Sequence, residues 1–206
     1  MNLLARELAA EFLAWSPAEL AAVVLAVLYL LLAIRQVIWC WLCAGISTAI
    51  YVWLFFEARL YMESLLNVFY FGMAVYGWHT WSSGADGDDQ LPVSIWPMRV
   101  HVIALAVVAL LVAGTGSWLQ QNTDAVYPFI DSATTYAAIW ATFLVARKVL
   151  ENWYYWLVID IVSIFIYWSR DLELTALLFV VYLIMIPFGI INWTRSMRAD
   201  ISANPI

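Results

Sequence analysis

Polar and aromatic residues recur at helical spacing inside stretches that otherwise carry no charge. Asn152, Trp156, Asp160, Ser163 and Tyr167 fall within an arc of roughly 80° at 3.6 residues per turn. Glu63, Asn67, Tyr70, Trp78 and Trp81 form a second stripe, and Thr175, Tyr182 and Trp193 a third. Tryptophan and tyrosine offer flat faces to an aromatic ring, and they favour a positively charged ring through cation–π attraction. Asparagine, threonine and tyrosine offer hydrogen bonds to hydroxyls, and Asp160 is placed to balance a cation. Together these groups suit a ligand with an aromatic ring and several hydroxyls. The structural alternative is that they bond one helix to the next. For Trp78, Trp81 and Trp193, close to helix ends, a belt at the membrane interface is the expected role.

The surrounding composition says what positions these residues. Of 206 residues, 66% are hydrophobic and only 12% charged, and mean hydropathy is +0.85. A soluble domain is nearer half apolar and a quarter charged, so lipid must cover part of this chain. The formal net charge of −6, with no basic run, argues against nucleic acid as a partner. Other chemistries find little support. Cys40 and Cys43 have redox-motif spacing but sit in an apolar helix without a second pair, so small core residues are expected there. His79 and His101 flank a polar stretch, and no spacing of Cys, His and carboxylates completes a metal site. Asp86, Asp88 and Asp89 read as a solvated loop. No Gly-rich phosphate loop supports direct use of ATP. No catalytic residue and no cofactor is expected, although a membrane-embedded enzyme stands as a rival, as does a purely structural subunit. Glu63 and Asp160 are also candidate proton sites, so ion coupling stays open. Residues 1–17, with Arg6, Glu7 and Glu11, lack the pattern of a removed signal peptide.

Crossing about 30 Å of hydrocarbon takes roughly 20 helical residues. Uncharged runs predict seven spans, at Ala18–Ile34, Val37–Phe56, Leu60–Trp81, Val100–Leu119, Asp131–Ala146, Asn152–Ser169 and Leu172–Thr194. Helices are expected rather than a barrel, because the runs are long and do not alternate. The connections are short and charged, except for the polar stretch 82–99 between two halves. Seven spans place Arg6, Arg59 and Arg170 on one side and Arg35, Arg99, Arg147, Lys148, Arg195 and Arg198 on the other. The second side is therefore read as cytoplasmic, with the N-terminus outside and the C-terminus inside.

Residues 35–81 laid on 147–193 give eleven identities at a constant offset of 112. They include Arg35/Arg147, Trp41/Trp153, Leu60/Leu172, Tyr70/Tyr182, Gly77/Gly189 and Trp81/Trp193. The expected architecture is one all-α integral membrane domain spanning 1–206. Within it, a first three-helix repeat (18–81) and a second (131–194) run parallel and are joined by a linker helix (100–119). Such repeats place substrate near the midplane, at their interface.

The run from Glu63 to Trp81 resembles the third helix of the PnuC family. So do Arg147-Lys-Val-Leu-Glu-Asn-Trp-Tyr-Tyr-Trp-Leu-Val-Ile-Asp160 and Leu174-Thr-Ala-Leu-Leu178. Arg-Lys-x-x-Glu-Asn-Trp-x-x-Trp is the sharpest part, and the similarity covers most of the chain from the second span onward. The resemblance implies a bacterial inner-membrane vitamin transporter, typified by nicotinamide riboside uptake. It implies a 3+1+3 fold like that of the SWEET sugar transporters and a homotrimer. It also implies facilitated diffusion, with a cytoplasmic kinase trapping the vitamin. Matched by motif, the substrate-binding positions are Glu63, Asn67, Tyr70, Asn152, Trp153, Trp156 and Asp160; Thr175 and Tyr182 join them from the polar stripes. Asn67 departs from the family pattern, where many members have Gln. Relatives carry thiamine or riboflavin, and both remain alternatives.

Overall fold

The structure, a computed structural model, describes residues 16–57, 59, 61–82, 91–124, 126–170 and 173–203. Arg6, Glu7, Glu11, Leu60, Asp86, Asp88, Asp89 and Leu172, named above, lie outside them. The described residues form seven helices: α1 (Pro17–Ile34), α2 (Trp39–Glu57), α3 (Tyr61–Ser82), α4 (Met98–Asn122), α5 (Pro128–Ala146), α6 (Asn152–Trp168) and α7 (Glu173–Ala203). α1 starts where the Ser16 side chain accepts from the Glu19 N–H and the Glu19 carboxylate accepts from the Ser16 N–H, a capping box with Pro17 in the first turn. That arrangement satisfies donors which a helix start otherwise leaves orphaned.

α1, α2, α4, α5 and α7 are long and apolar enough to cross a bilayer. The other two are the helices with the densest polar stripes. α6 has 17 residues and carries Asn152 and Asp160, and α3 is diluted by Glu63, Asn67, His79 and several Tyr and Trp. The helix limits match the expected spans to within three residues except at the end of α7. That helix continues nine residues past Thr194, through Arg195 and Arg198, and has Pro187 in its interior. Charge ends the hydrocarbon but not the helix: 31 residues span about 46 Å at 1.5 Å each, well beyond the apolar core.

α1 packs on α2, α2 on α3, α3 on α5, α5 on α6, α6 on α7, and α7 back on α1. Six helices thus close a ring. α4 packs outside it on α5, with His101 reaching the Tyr155 hydroxyl of α6 at 3.1 Å.

Contacts recur at the offset of 112. Gln36 and Lys148 both adopt left-handed backbone, at φ 57° and 48°. The next residues, Val37 and Val149, each donate 2.9 Å bonds back to Leu32 O and Leu144 O. Trp41 meets Trp81 edge-on (5.5 Å, 87°), as Trp153 meets Trp193 (5.4 Å, 86°). Trp81 Nε1 donates to Val145 O and Trp193 Nε1 to Ala33 O, at 3.3 and 3.0 Å, so each indole reaches across to the opposite half. This corrects the interfacial-belt reading of Trp81 and Trp193. They are 4% and 0% exposed, and they touch each other at 6.2 Å, closing one end of the ring. Nearness to a helix end suggested a belt, but these ends face each other. Trp78 is half-buried beside Trp39.

Candidate functional site

Inside the ring lies a cavity of about 380 Å³, within the roughly 300–1,000 Å³ usual for small-molecule sites. Tyr70, Asn152, Trp153, Trp156, Asp160 and Tyr182 line it. α6 supplies four of these because positions i, i+4 and i+8 share a face. Asn152, Trp156 and Asp160 therefore stack along the helix about 6 Å apart, an indole between an amide and a carboxylate.

The hydrogen bonding sorts structure from opportunity. The Asn152 amide donates to Val149 O at 2.7 Å, while its Oδ1 is fully buried without a partner. Asp160 is 2% exposed and makes no hydrogen bond or ion pair with any described residue. Trp153 is held between Trp193 and Gly189, where an added Cβ would sit 2.5 Å from the indole. It both lines the cavity and braces α6 on α7.

Glu63, Asn67 and Thr175 are not among the lining residues. Glu63 is exposed in the first turn of α3. The Asn67 amide is spent on Glu63 O at 2.9 Å, and Thr175 lies in the first turn of α7. All three sit toward the helix starts, whereas the lining on α3 and α7 begins deeper, at Tyr70 and Leu178.

Tyr29 on α1, Ser47, Thr48 and Tyr51 on α2, and Thr142 on α5 also line the cavity, although no stripe in the sequence marks them. Ser47 bonds Ala22 O across to α1, and Thr48 and Thr142 bond carbonyls of their own helices. Such isolated hydroxyls are self-satisfied and leave no stripe. The repeat held the signal for one of them: Thr48 is the counterpart of Asp160 at the offset of 112. The same offset pairs Ala44 with Trp156 and Cys40 with Asn152. The cavity is thus two-fold in frame, with Tyr70 and Tyr182 matched across it, while its amide and carboxylate lie on one side.

Residues 16–195 match the family described as nicotinamide mononucleotide transporter. The chain belongs to that family. Within it, the chain is 24% identical over 179 residues to the nicotinamide riboside transporter PnuC of Escherichia coli K12, covering 74% of each chain. It is 23% identical over 196 residues to the riboflavin/roseoflavin transporter RibM of Streptomyces davaonensis, covering 92% of this chain and 89% of that one. The crystal structure of the vitamin B3 transporter PnuC superposes with a TM-score of 0.70 at 22% identity, over 88% of this chain and 82% of that chain, which establishes the shared fold.

A family of transporters needs a site that takes a ligand reversibly, and the lining has that character: aromatic walls, few polar groups, no nucleophile–base pair. Among the described residues no Arg, Lys or His lines it, and no group of His, Cys, Asp and Glu is placed to hold a metal ion.

Proposed function

We propose that this membrane transporter carries nicotinamide riboside, and that the cavity is its binding site. The observation that carries the reading is Asp160, a buried carboxylate with no partner among the described residues. A charge left alone in such surroundings is costly, and a cationic pyridinium ring stacked near Trp156 supplies the missing partner. The riboside fits better than its mononucleotide. A phosphate would find no basic side chain in the lining and would face Asp160 instead.

The relative RibM favours riboflavin as the second reading. That ligand is uncharged and would leave Asp160 unpaired. Thiamine is a cation and competes on equal electrostatic terms, so ribose hydroxyls must decide between them. Tyr29, Tyr70 and Tyr182, which all line the cavity, are the groups available to bind a sugar.

The reading extends to Tyr70, Asn152, Trp153, Trp156, Asp160 and Tyr182 as substrate contacts. Two parallel three-helix units, α1–α3 and α5–α7, move about the cavity, with α4 as linker; the ring of helices and the contacts repeated at 112 support this. Movement is by facilitated diffusion in the bacterial inner membrane, with trapping by a cytoplasmic kinase. The N-terminus is outside and the C-terminus in the cytoplasm, as the distribution of arginines favours. A homotrimer is supported by α4, which lies outside the ring and exposes Ile103 and Leu110. Light scattering on the detergent-solubilised protein tests it, with three chains per particle expected and a monomer contradicting it.

Calorimetry on the purified protein tests the substrate. Nicotinamide riboside is expected to bind saturably, with about tenfold weaker binding after Trp156→Ala, since stacking on an aromatic side chain is worth about 1–3 kcal/mol per base. Nicotinamide mononucleotide is expected to bind far more weakly. Tight riboflavin binding without a response to nicotinamide riboside would overturn the assignment.

A further inference from the structure

A second concavity, of about 470 Å³, lies between α1 and α7 at the end of the bundle that bears Arg35 and Arg195. Ile34 and Met185 form its nearly closed floor, while Leu31, Phe188 and Ile191 are 43%, 61% and 48% exposed along its sides. Arg35 and Arg195 stand exposed at its rim. Neither makes a hydrogen bond through its side chain or an ion pair with a described residue. Arg35 alone has a local explanation, because it follows the last turn of α1, where unpaired carbonyls favour a cation. Arg195 does not, because α7 runs on to Ala203.

The repeat gives this groove a counterpart 112 residues away, between α5 and α3, where Phe143, Tyr76 and Arg147 take the places of Leu31, Phe188 and Arg35. There the protein fills the space itself. Tyr76 stacks on Phe143 (6.2 Å, 11°), and the Arg147 guanidinium donates to the Tyr76 hydroxyl at 3.5 Å. Trp96 lies against Phe143 and Trp140, each ring at 6.1 Å. The segment carrying Trp96 is pinned by backbone bonds from Ser94 N to Lys148 O and from Leu150 N to Ser94 O. No described segment plays that part at the α1–α7 groove, where Leu31, Phe188 and Ile191 are left uncovered by the described residues.

We propose that an anionic phospholipid occupies the α1–α7 groove, its phosphate between Arg35 and Arg195 and one acyl chain along Leu31, Phe188 and Ile191. Two guanidiniums above an apolar slot, at the level where the hydrocarbon ends, match a phosphodiester joined to an acyl chain. The site lies outside the substrate cavity and does not depend on which vitamin is carried.

The test uses full-length protein in a neutral detergent, mixed with phosphatidylglycerol, cardiolipin or phosphatidylcholine, with bound lipid counted by native mass spectrometry and stability followed by thermal unfolding. The anionic lipids are expected to stay bound and to raise the unfolding temperature by several degrees, and phosphatidylcholine to do neither. The double variant Arg35→Gln/Arg195→Gln is expected to lose both effects. Arg99→Gln, a change at another exposed arginine at the same end of the bundle, should keep them. Leu31→Trp, which fills the groove as Trp96 fills its counterpart, is expected to weaken lipid retention with both arginines intact. Equal retention in the double variant and Arg99→Gln, an unchanged response in Leu31→Trp, or the same stabilisation by inorganic phosphate alone would each overturn the proposal. Vitamin binding in the same preparations reports separately on the substrate assignment and on whether each variant is folded.

Discussion

A carboxylate enclosed by a helical bundle without an ion pair costs the protein stability that a cationic ligand can return. On that argument Asp160→Asn is expected to weaken nicotinamide riboside binding tenfold or more. Hydrogen bonds to charged groups are worth about 1.5–3 kcal/mol, and each 1.4 kcal/mol is about a factor of ten. The same variant should leave the apo protein at least as stable as wild type in thermal unfolding; a marked loss of stability would mean that Asp160 serves the fold. Lys148 is a buried charge of another kind, in the turn between α5 and α6. It is 1% exposed, with its ammonium 4.6 Å from the centre of the Trp81 ring. Burial pushes it down to about 8, against smaller upward pulls from Cys40 and Asp200. A lysine lowered in the fold is a liability while charged, so the folded state gains stability as pH rises from about 8 toward the ordinary 10.5. Lys148→Met is therefore expected to stabilise most below pH 8, with its advantage shrinking by pH 9.5 in thermal unfolding. An advantage that grows with pH would contradict this. At this scale the sequence showed what a stripe can show. Asn152, Trp156 and Asp160 were legible because polar groups in an apolar helix stand out at helical spacing. Thr48 and Thr142 were not, since a hydroxyl bonded to its own helix is as compatible with lipid as with a site.

Helix seams in this bundle depend on two glycines that face indoles. A Cβ on Gly77 would come 2.3 Å from the Trp41 ring, and one on Gly189 would come 2.5 Å from the Trp153 ring, whereas one on Gly72 meets nothing within 4 Å. Overpacking of this kind costs about 1–3 kcal/mol. Gly189→Ala should therefore lower the unfolding temperature by several degrees and also disturb ligand binding, because Trp153 lines the cavity. Gly72→Ala should do neither. Equal behaviour of the two variants would show that the close approach does not matter. Helix existence followed from the length of the apolar runs. The overrun of α7 did not, because Arg195 and Arg198 end a hydrophobic run without breaking a helix. Nor did the burial of Trp81 and Trp193, since position along a helix does not reveal which neighbour its end faces.

The whole molecule joins these elements into a ring whose two halves share their turns, their tryptophan pairs, their glycines and the tyrosines at 70 and 182, but not the polar face of α6. The repeat was legible because identity persisted where geometry is strict: Arg35 and Arg147, Trp41 and Trp153, Gly77 and Gly189, Trp81 and Trp193 hold matching corners. It was silent on chemistry, because Cys40, Ala44 and Thr48 on one side answer Asn152, Trp156 and Asp160 on the other. The proposed function asks this frame to rock about one ligand at a time without a coupled ion. The most direct test of that account is counterflow of labelled nicotinamide riboside into liposomes holding the purified protein and no kinase. Saturable exchange is expected, unchanged by a protonophore and poorly competed by nicotinamide mononucleotide. No exchange, or exchange that collapses with the proton gradient, would contradict it.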